Sequence, residues 1–218
     1  KLVHLLRRKK LHEGLAAETT AIVEIFRGRY KKAQKVLDSE EEAMGFDEKH
    51  MIRSLLAAAE GDFSVLEDYR RKALTRAEND DIADPFAQWT NLAMALWLGD
   101  KTEEAAEAAF RALQIIGQAE KRFSLDVPIR LGHQAVCLAL TGDEAGARQA
   151  LADMQDAPKC DFCGYPTCKD HTVYTCEAEM ILGNTDKAAS MLYFSLKGFP
   201  DEEVFLLLKF YLMKKGVL

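Results

Sequence analysis

The stretch Tyr174–Pro200, YTCEAEMILGNTDKAASMLYFSLKGFP, decides the fold. Its apolar residues recur every three to four positions on either side of a short polar turn that begins at Gly183, which is the period of helices buried along one side. Cys176 stands seven residues before that glycine and Ala188 five after it. Small side chains at these two places let a pair of helices approach closely, because packed interiors leave little spare volume. The stretch therefore reads as a helical hairpin.

The same design recurs upstream at Gly28, Gly61, Gly99 and Gly142, with successive separations of 33, 38, 43 and 41 residues up to Gly183. Ala21, Ser54, Leu92 and Ala135 occupy the place seven residues before these glycines, and Ala33 and Ala147 follow Gly28 and Gly142 by five. The second unit puts Leu66 at the later place, and the third shows Leu92 with a shifted alanine pair, Ala105 and Ala106. The shorter spacings are close to the roughly 34-residue unit of helix-turn-helix arrays. Extra residues fall around Gly117 to Pro128 and at a cysteine run between the fourth and fifth glycines.

Asp84-Pro85 and Asp126 with Pro128 read as helix openings, since a first-turn proline gives up an N–H that has no intrahelical partner there. Stripes such as Leu92, Leu96 and Gly99, or Val204, Leu207, Leu208 and Tyr211, extend the helical period, and no stretch keeps a strand alternation bounded by hairpin turns. The expectation is an all-α chain of about eleven helices: five pairs and a C-terminal helix from about Asp201 to Lys215. Val204, Phe205, Leu208 and Tyr211 on that last helix are expected to cap the array or to bury against a partner.

In its order of small residue, turn, aromatic, second small residue and closing proline, the run from Tyr174 through Cys176, Gly183, Ala188, Leu192 and Ser195 to Pro200 resembles the tetratricopeptide repeat family. Ala21, Gly28, Tyr30 and Ala33 repeat the pattern, and Ser54, Gly61 and Phe63 keep part of it. The resemblance covers roughly residues 13 to 216. It implies a right-handed α-solenoid of about five hairpins plus a C-terminal capping helix, forming one superhelical domain over residues 1–218. It also implies a scaffold for protein–protein interaction, with an extended peptide or partner protein held in a concave groove lined by first helices. Arg53, Gln88, Asn91, Arg130, His133 and Gln134 lie on first helices off the hairpin seam and are the expected partner-binding residues.

Composition narrows the partners. The 218 residues are 48% hydrophobic, enough for a substantial core. A net charge of −6 argues against a dominant nucleic-acid role, which wants a basic face. Arg7, Arg8, Lys9 and Lys10 read as a solvated end of a capping helix. No run has the length of a membrane span, and the first residues lack a signal-peptide pattern. Five cysteines, three of them within nine residues, suit a reducing compartment and metal ligation. A cytoplasmic location is expected.

The cysteine run is an insert over residues 156–171. Cys160 and Cys163 form a C-x2-C pair, Cys168 follows, and His171 comes two residues after that. Two thiolates at this spacing can grip one ion from a tight loop that Gly164 permits, and three thiolates with one imidazole form a closed zinc set. With no open position for water or substrate, such a zinc would be structural, clamping the fourth hairpin to the fifth. The alternatives are no metal, or an iron–sulfur or redox use, because Cys160–Cys168 resembles the cluster-binding segment of some electron-transfer and corrinoid proteins. Cys176 and Cys137 read as core residues.

No nucleophile with its base, phosphate-cradling glycine loop or His-Glu-x-x-His pair is present, so catalysis is not expected. His133 and Cys137 share a helix face, and a histidine satisfied in the core or groove explains that pair better than chemistry does. The alternative to a scaffold is a regulatory or sensor domain of a larger protein, with the cysteine cluster reporting metal or redox state.

Overall fold

The computed structural model describes residues 13–80, 85–119, 127–157, 169–199 and 202–218. All regular structure among them is helical: α1 Glu13–Phe26, α2 Tyr30–Glu40, α3 Phe46–Ala59, α4 Ser64–Asp80, α5 Pro85–Leu98, α6 Thr102–Ala119, α7 Val127–Leu140, α8 Glu144–Asp156, α9 Lys169–Ile181, α10 Thr185–Gly198 and α11 Glu203–Lys214, with one 3-10 turn at Glu41–Ala43. Pro85 opens α5, and Pro128 sits in the first turn of α7. No described helix is long and apolar enough to cross a membrane. Residues 7–10 lie outside the described residues.

Five turns share one hydrogen-bond pattern. Gly28, Gly61, Gly142 and Gly183 have φ between +71° and +85°, a left-handed conformation that glycine adopts without a β-carbon penalty. Each closes the preceding helix with paired backbone bonds, such as Gly28 N–H to the Ile25 carbonyl (2.9 Å) and Arg29 N–H to Glu24 (2.8 Å), which satisfy carbonyls left over at the helix end. In the third turn the left-handed residue is Asp100 (φ +64°), with Asp100 N–H on Trp97 and Lys101 N–H on Leu96. The third unit is thus centred one residue later than its glycine indicates.

That shift restores the repeat. Counting from Asp100, the place seven before is Ala93 rather than Leu92, and the place five after is Ala105. All five early places, Ala21, Ser54, Ala93, Ala135 and Cys176, are wholly buried. At the later place Ala33, Ala105, Ala147 and Ala188 are equally buried, and Leu66 is buried as well. Between α9 and α10 the two places touch, with Cys176 Sγ 3.5 Å from the Ala188 carbonyl.

The chain divides into two compact units. The first joins residues up to Tyr69 with Phe194–Gly216. In it α1 packs on α2 and α3, and α11 packs on α3. Seven residues of α11, from Phe205 through Leu208 and from Phe210 to Leu212, are buried, so this helix is enclosed on all sides. Phe210 meets Tyr30 edge-on at 6.2 Å and Tyr211 meets Phe63 in the same way. The C-terminal helix is therefore a core element beside the first two turns. The second unit spans Arg70–Tyr193. There α5 packs on α6, α7 on α8, and α7 also meets α5, α6 and α9. Its centre joins Leu92, Ala93, Leu96, Ala105, Ala109 and Cys137, with Trp89 and Trp97 packed alongside.

Candidate functional site

Helices α5 and α7 of the second unit carry most of the polar side chains that sequence reasoning marks. Gln88 and Asn91 on α5 and Arg130 and Gln134 on α7 are half-buried. Arg53, also half-buried, belongs to α3 in the first unit, so it is described apart from the other five. His133 differs from its companions. It is 4% exposed and forms part of the packing between helices rather than a groove surface.

The seam around His133 is built by three helices of one unit. Phe86 of α5 meets the imidazole edge-on at 5.3 Å, and the Tyr174 ring of α9 lies 4.8 Å away. The Tyr174 hydroxyl is 3.0 Å from His133 Nε2. Gly132 makes this approach possible, because a β-carbon there would overlap the Tyr174 ring. His133 Nδ1 is buried and has no hydrogen-bond partner among the described residues. Burial pushes the imidazole down to about 4, so the ring is neutral at physiological pH. One turn further along α7, Cys137 Sγ lies 3.3 Å from Thr90 Oγ1. Burial raises both the Cys137 and the Cys176 thiol to about 12. Both thiols are therefore protonated at neutral pH, as buried core cysteines are.

Of the four expected metal ligands, Cys160, Cys163 and Cys168 lie outside the described residues. His171 falls in the first turn of α9, as their spacing anticipates. It is half-buried, yet its Nε2 is shielded from solvent and lacks a hydrogen-bond partner among the described residues. An unsatisfied imidazole nitrogen is the donor that a metal takes. No group of three or more potential ligands converges among the described residues.

Two clefts escape the sequence reading. One, of about 180 Å³, has Trp89, Leu92, Leu96 and Ala108 as its floor, and Arg71, Glu104, Glu107 and Arg111 around it. Arg71 and Glu104 close one side through a 3.0 Å ion pair. Their separation of 33 residues is close to one repeat, and that spacing was the available signal. The other is a polar hollow at the fifth turn, where buried Glu179 accepts from Asn184 Nδ2 (2.6 Å) and from Lys187 Nζ, with Arg148 beside them. Glu179 is thus paired with Lys187, and Arg148 with Glu144, so the Glu179–Lys187 contact ties α9 to the start of α10.

Comparison of the chain with protein-family models, with curated proteins and with solved structures gives no match.

Proposed function

We propose that this chain is a tetratricopeptide-like scaffold of about five hairpins in a right-handed solenoid, and that it holds a partner protein or peptide. The observation that carries the proposal is the recurrence of one turn geometry with small residues at two fixed places, from Ala21 and Ala33 to Cys176 and Ala188. Repeats of this kind present side chains of successive first helices along one face. Gln88, Asn91, Arg130 and Gln134 are the contacts we assign in the second unit, and Arg53 in the first. His133 is left to the packing. Partner binding is the role, without catalysis, in a reducing compartment such as the cytoplasm.

The second part of the proposal is a structural zinc held by Cys160, Cys163, Cys168 and His171. The shielded, unpartnered Nε2 of His171 supports it. Bound there, zinc would supply folding free energy to the segment that leads into α9.

Two measurements test these claims. The first compares proteins recovered by wild type with those recovered by the double variant Asn91→Arg, Gln134→Glu, both folded by circular dichroism. Loss of a partner that wild type recovers is expected, and unchanged recovery overturns the assigned face. The second is elemental analysis of protein purified under reducing conditions without chelator. One zinc per chain is expected; neither zinc nor iron at stoichiometric level removes the metal.

A further inference from the structure

We propose that the contact between α7 and α9 is an acid-sensitive joint, in which neutral His133 holds Tyr174 against Gly132 and protonation of the imidazole releases α9 from α7. The joint rests on geometry within one unit. His133 is wedged between Phe86 and Tyr174 with its Nε2 on the Tyr174 hydroxyl, and the Tyr174 ring occupies space that exists only because residue 132 is glycine. The imidazole is therefore committed on one nitrogen and enclosed on the other, where Nδ1 has no partner among the described residues.

Protonation makes both ring nitrogens donors, Nε2 toward the Tyr174 hydroxyl and Nδ1 into the enclosure. Either neutral tautomer leaves Nδ1 uncompensated, but the imidazolium adds a full charge and a second N–H donor to a site that already lacks an acceptor. The neighbouring elements offer little to offset it. Phe86 and Thr90 are the buried groups of α5 nearby. The faces of α6 and α8 within the core are alanine with leucine and methionine, as in Ala105, Ala109, Ala147, Ala150, Leu151 and Met154. The titratable groups to consider are Tyr174, His171 and Glu177 on α9 and Arg130 and Cys137 on α7 itself. Glu177 is one turn beyond Tyr174 and bears on Cys137, while Arg130 is itself a cation. Burial is the cause that sets the imidazole, and it opposes charge.

The sign follows from linkage. An imidazole near 6.5 when exposed and about 4 when enclosed favours opening as pH falls from 6.5 toward 4. Between pH 7.5 and pH 5 the opening equilibrium at α9 should rise about 30-fold. Hydrogen exchange of the α9 amides, corrected for intrinsic rates, reads it directly in wild type and in His133→Gln, whose amide nitrogen can still meet Tyr174 but does not titrate. The expected result is a steep acid-dependent loss of protection in wild type and a flat profile in the variant. Equal pH dependence in both proteins overturns the joint. Should the glutamine variant fail to fold, NMR titration of the His133 ring in wild type decides: an imidazole titrating near 6.5 in the folded protein refutes the proposal, and one that stays neutral to below pH 5 upholds it.

Discussion

The Tyr174 ring lies so close over the backbone of Gly132 that a β-carbon at position 132 would fall inside the ring's van der Waals envelope. Helices α7 and α9 are thereby held at a separation that only glycine permits. Gly132→Ala must push the ring aside and with it the hydroxyl on His133 Nε2. Overpacking of this kind costs about 1–3 kcal/mol. Thermal or urea unfolding of Gly132→Ala should show a loss in that range. Tyr174→Phe, which keeps the ring and removes only the hydrogen bond, should lose nearer 1 kcal/mol.

The helices, their left-handed turns and the buried small residues beside them were legible because all follow from local rules, a left-handed turn residue and alanine-sized neighbours. The third unit misled because Gly99 is the visible glycine while Asp100 adopts the left-handed conformation. Ala93 and Ala105, bracketing position 100 at the same distances as their counterparts elsewhere, held the correct register. The burial of His133 was also partly visible. It precedes Tyr174 by 41 residues, the same separation as the turns at Gly142 and Gly183, and the two residues meet between α7 and α9. Which neighbours enclose α11 was not legible, because an apolar helix carries no record of where in the chain its partners lie.

The corrected register makes a direct comparison possible. Ala93 is wholly buried in the core cluster that also holds Ala105 and Ala109, themselves wholly buried. Ala93→Leu should cost about 1–3 kcal/mol through overpacking. The same enlargement at Ala106, the residue that Gly99 counting leaves as an alternative, falls outside the buried set and should cost much less. Equal losses at the two positions, measured by chemical denaturation, would contradict the assignment.

The turns allow backbone cost to be measured without packing. Gly142 has φ +84° and nothing within 4 Å of a β-carbon at that place. Gly142→Ala therefore reports the left-handed penalty alone, about 1–2 kcal/mol. Asp100→Gly is the converse, and should be neutral or stabilising by up to about 1 kcal/mol, since aspartate tolerates this conformation better than most residues. A clear destabilisation by Asp100→Gly would mean that its side chain outweighs its backbone.

Because α11 is enclosed within the first unit, damage to it should be felt by helices near the other end of the chain. Phe205 is wholly buried and among the largest such side chains. Phe205→Ala should cost about 3–5 kcal/mol. Hydrogen exchange should locate the loss in α1 and α3 as well as in α11. Loss of protection confined to α11 would show that the N-terminal helices stand without it.

The same unit contains a carboxylate placed against its preference. Burial, and then the charges of Glu203 on α11 and Glu48 on α3, raise Glu18 of α1 to about 7. The folded state thus keeps a proton that the unfolded chain releases near 4.5, and the direction of the effect follows. The contribution to stability is complete below about pH 4.5 and is lost as pH rises toward 7, where an ionised Glu18 opposes the assembly of α1, α3 and α11. Glu18→Gln removes that charge at nearly constant shape. Its melting temperature should exceed that of wild type at pH 8, and the two should converge as pH falls toward 5. Glu18 lies partly within reach of solvent, which screens the repulsion, so high salt should narrow the gap at pH 8. Acid destabilisation through His133 runs in the opposite direction but is common to both proteins, so it cancels in the difference. Identical melting of the two proteins at pH 8 in low salt would show that Glu18 is ionised without cost.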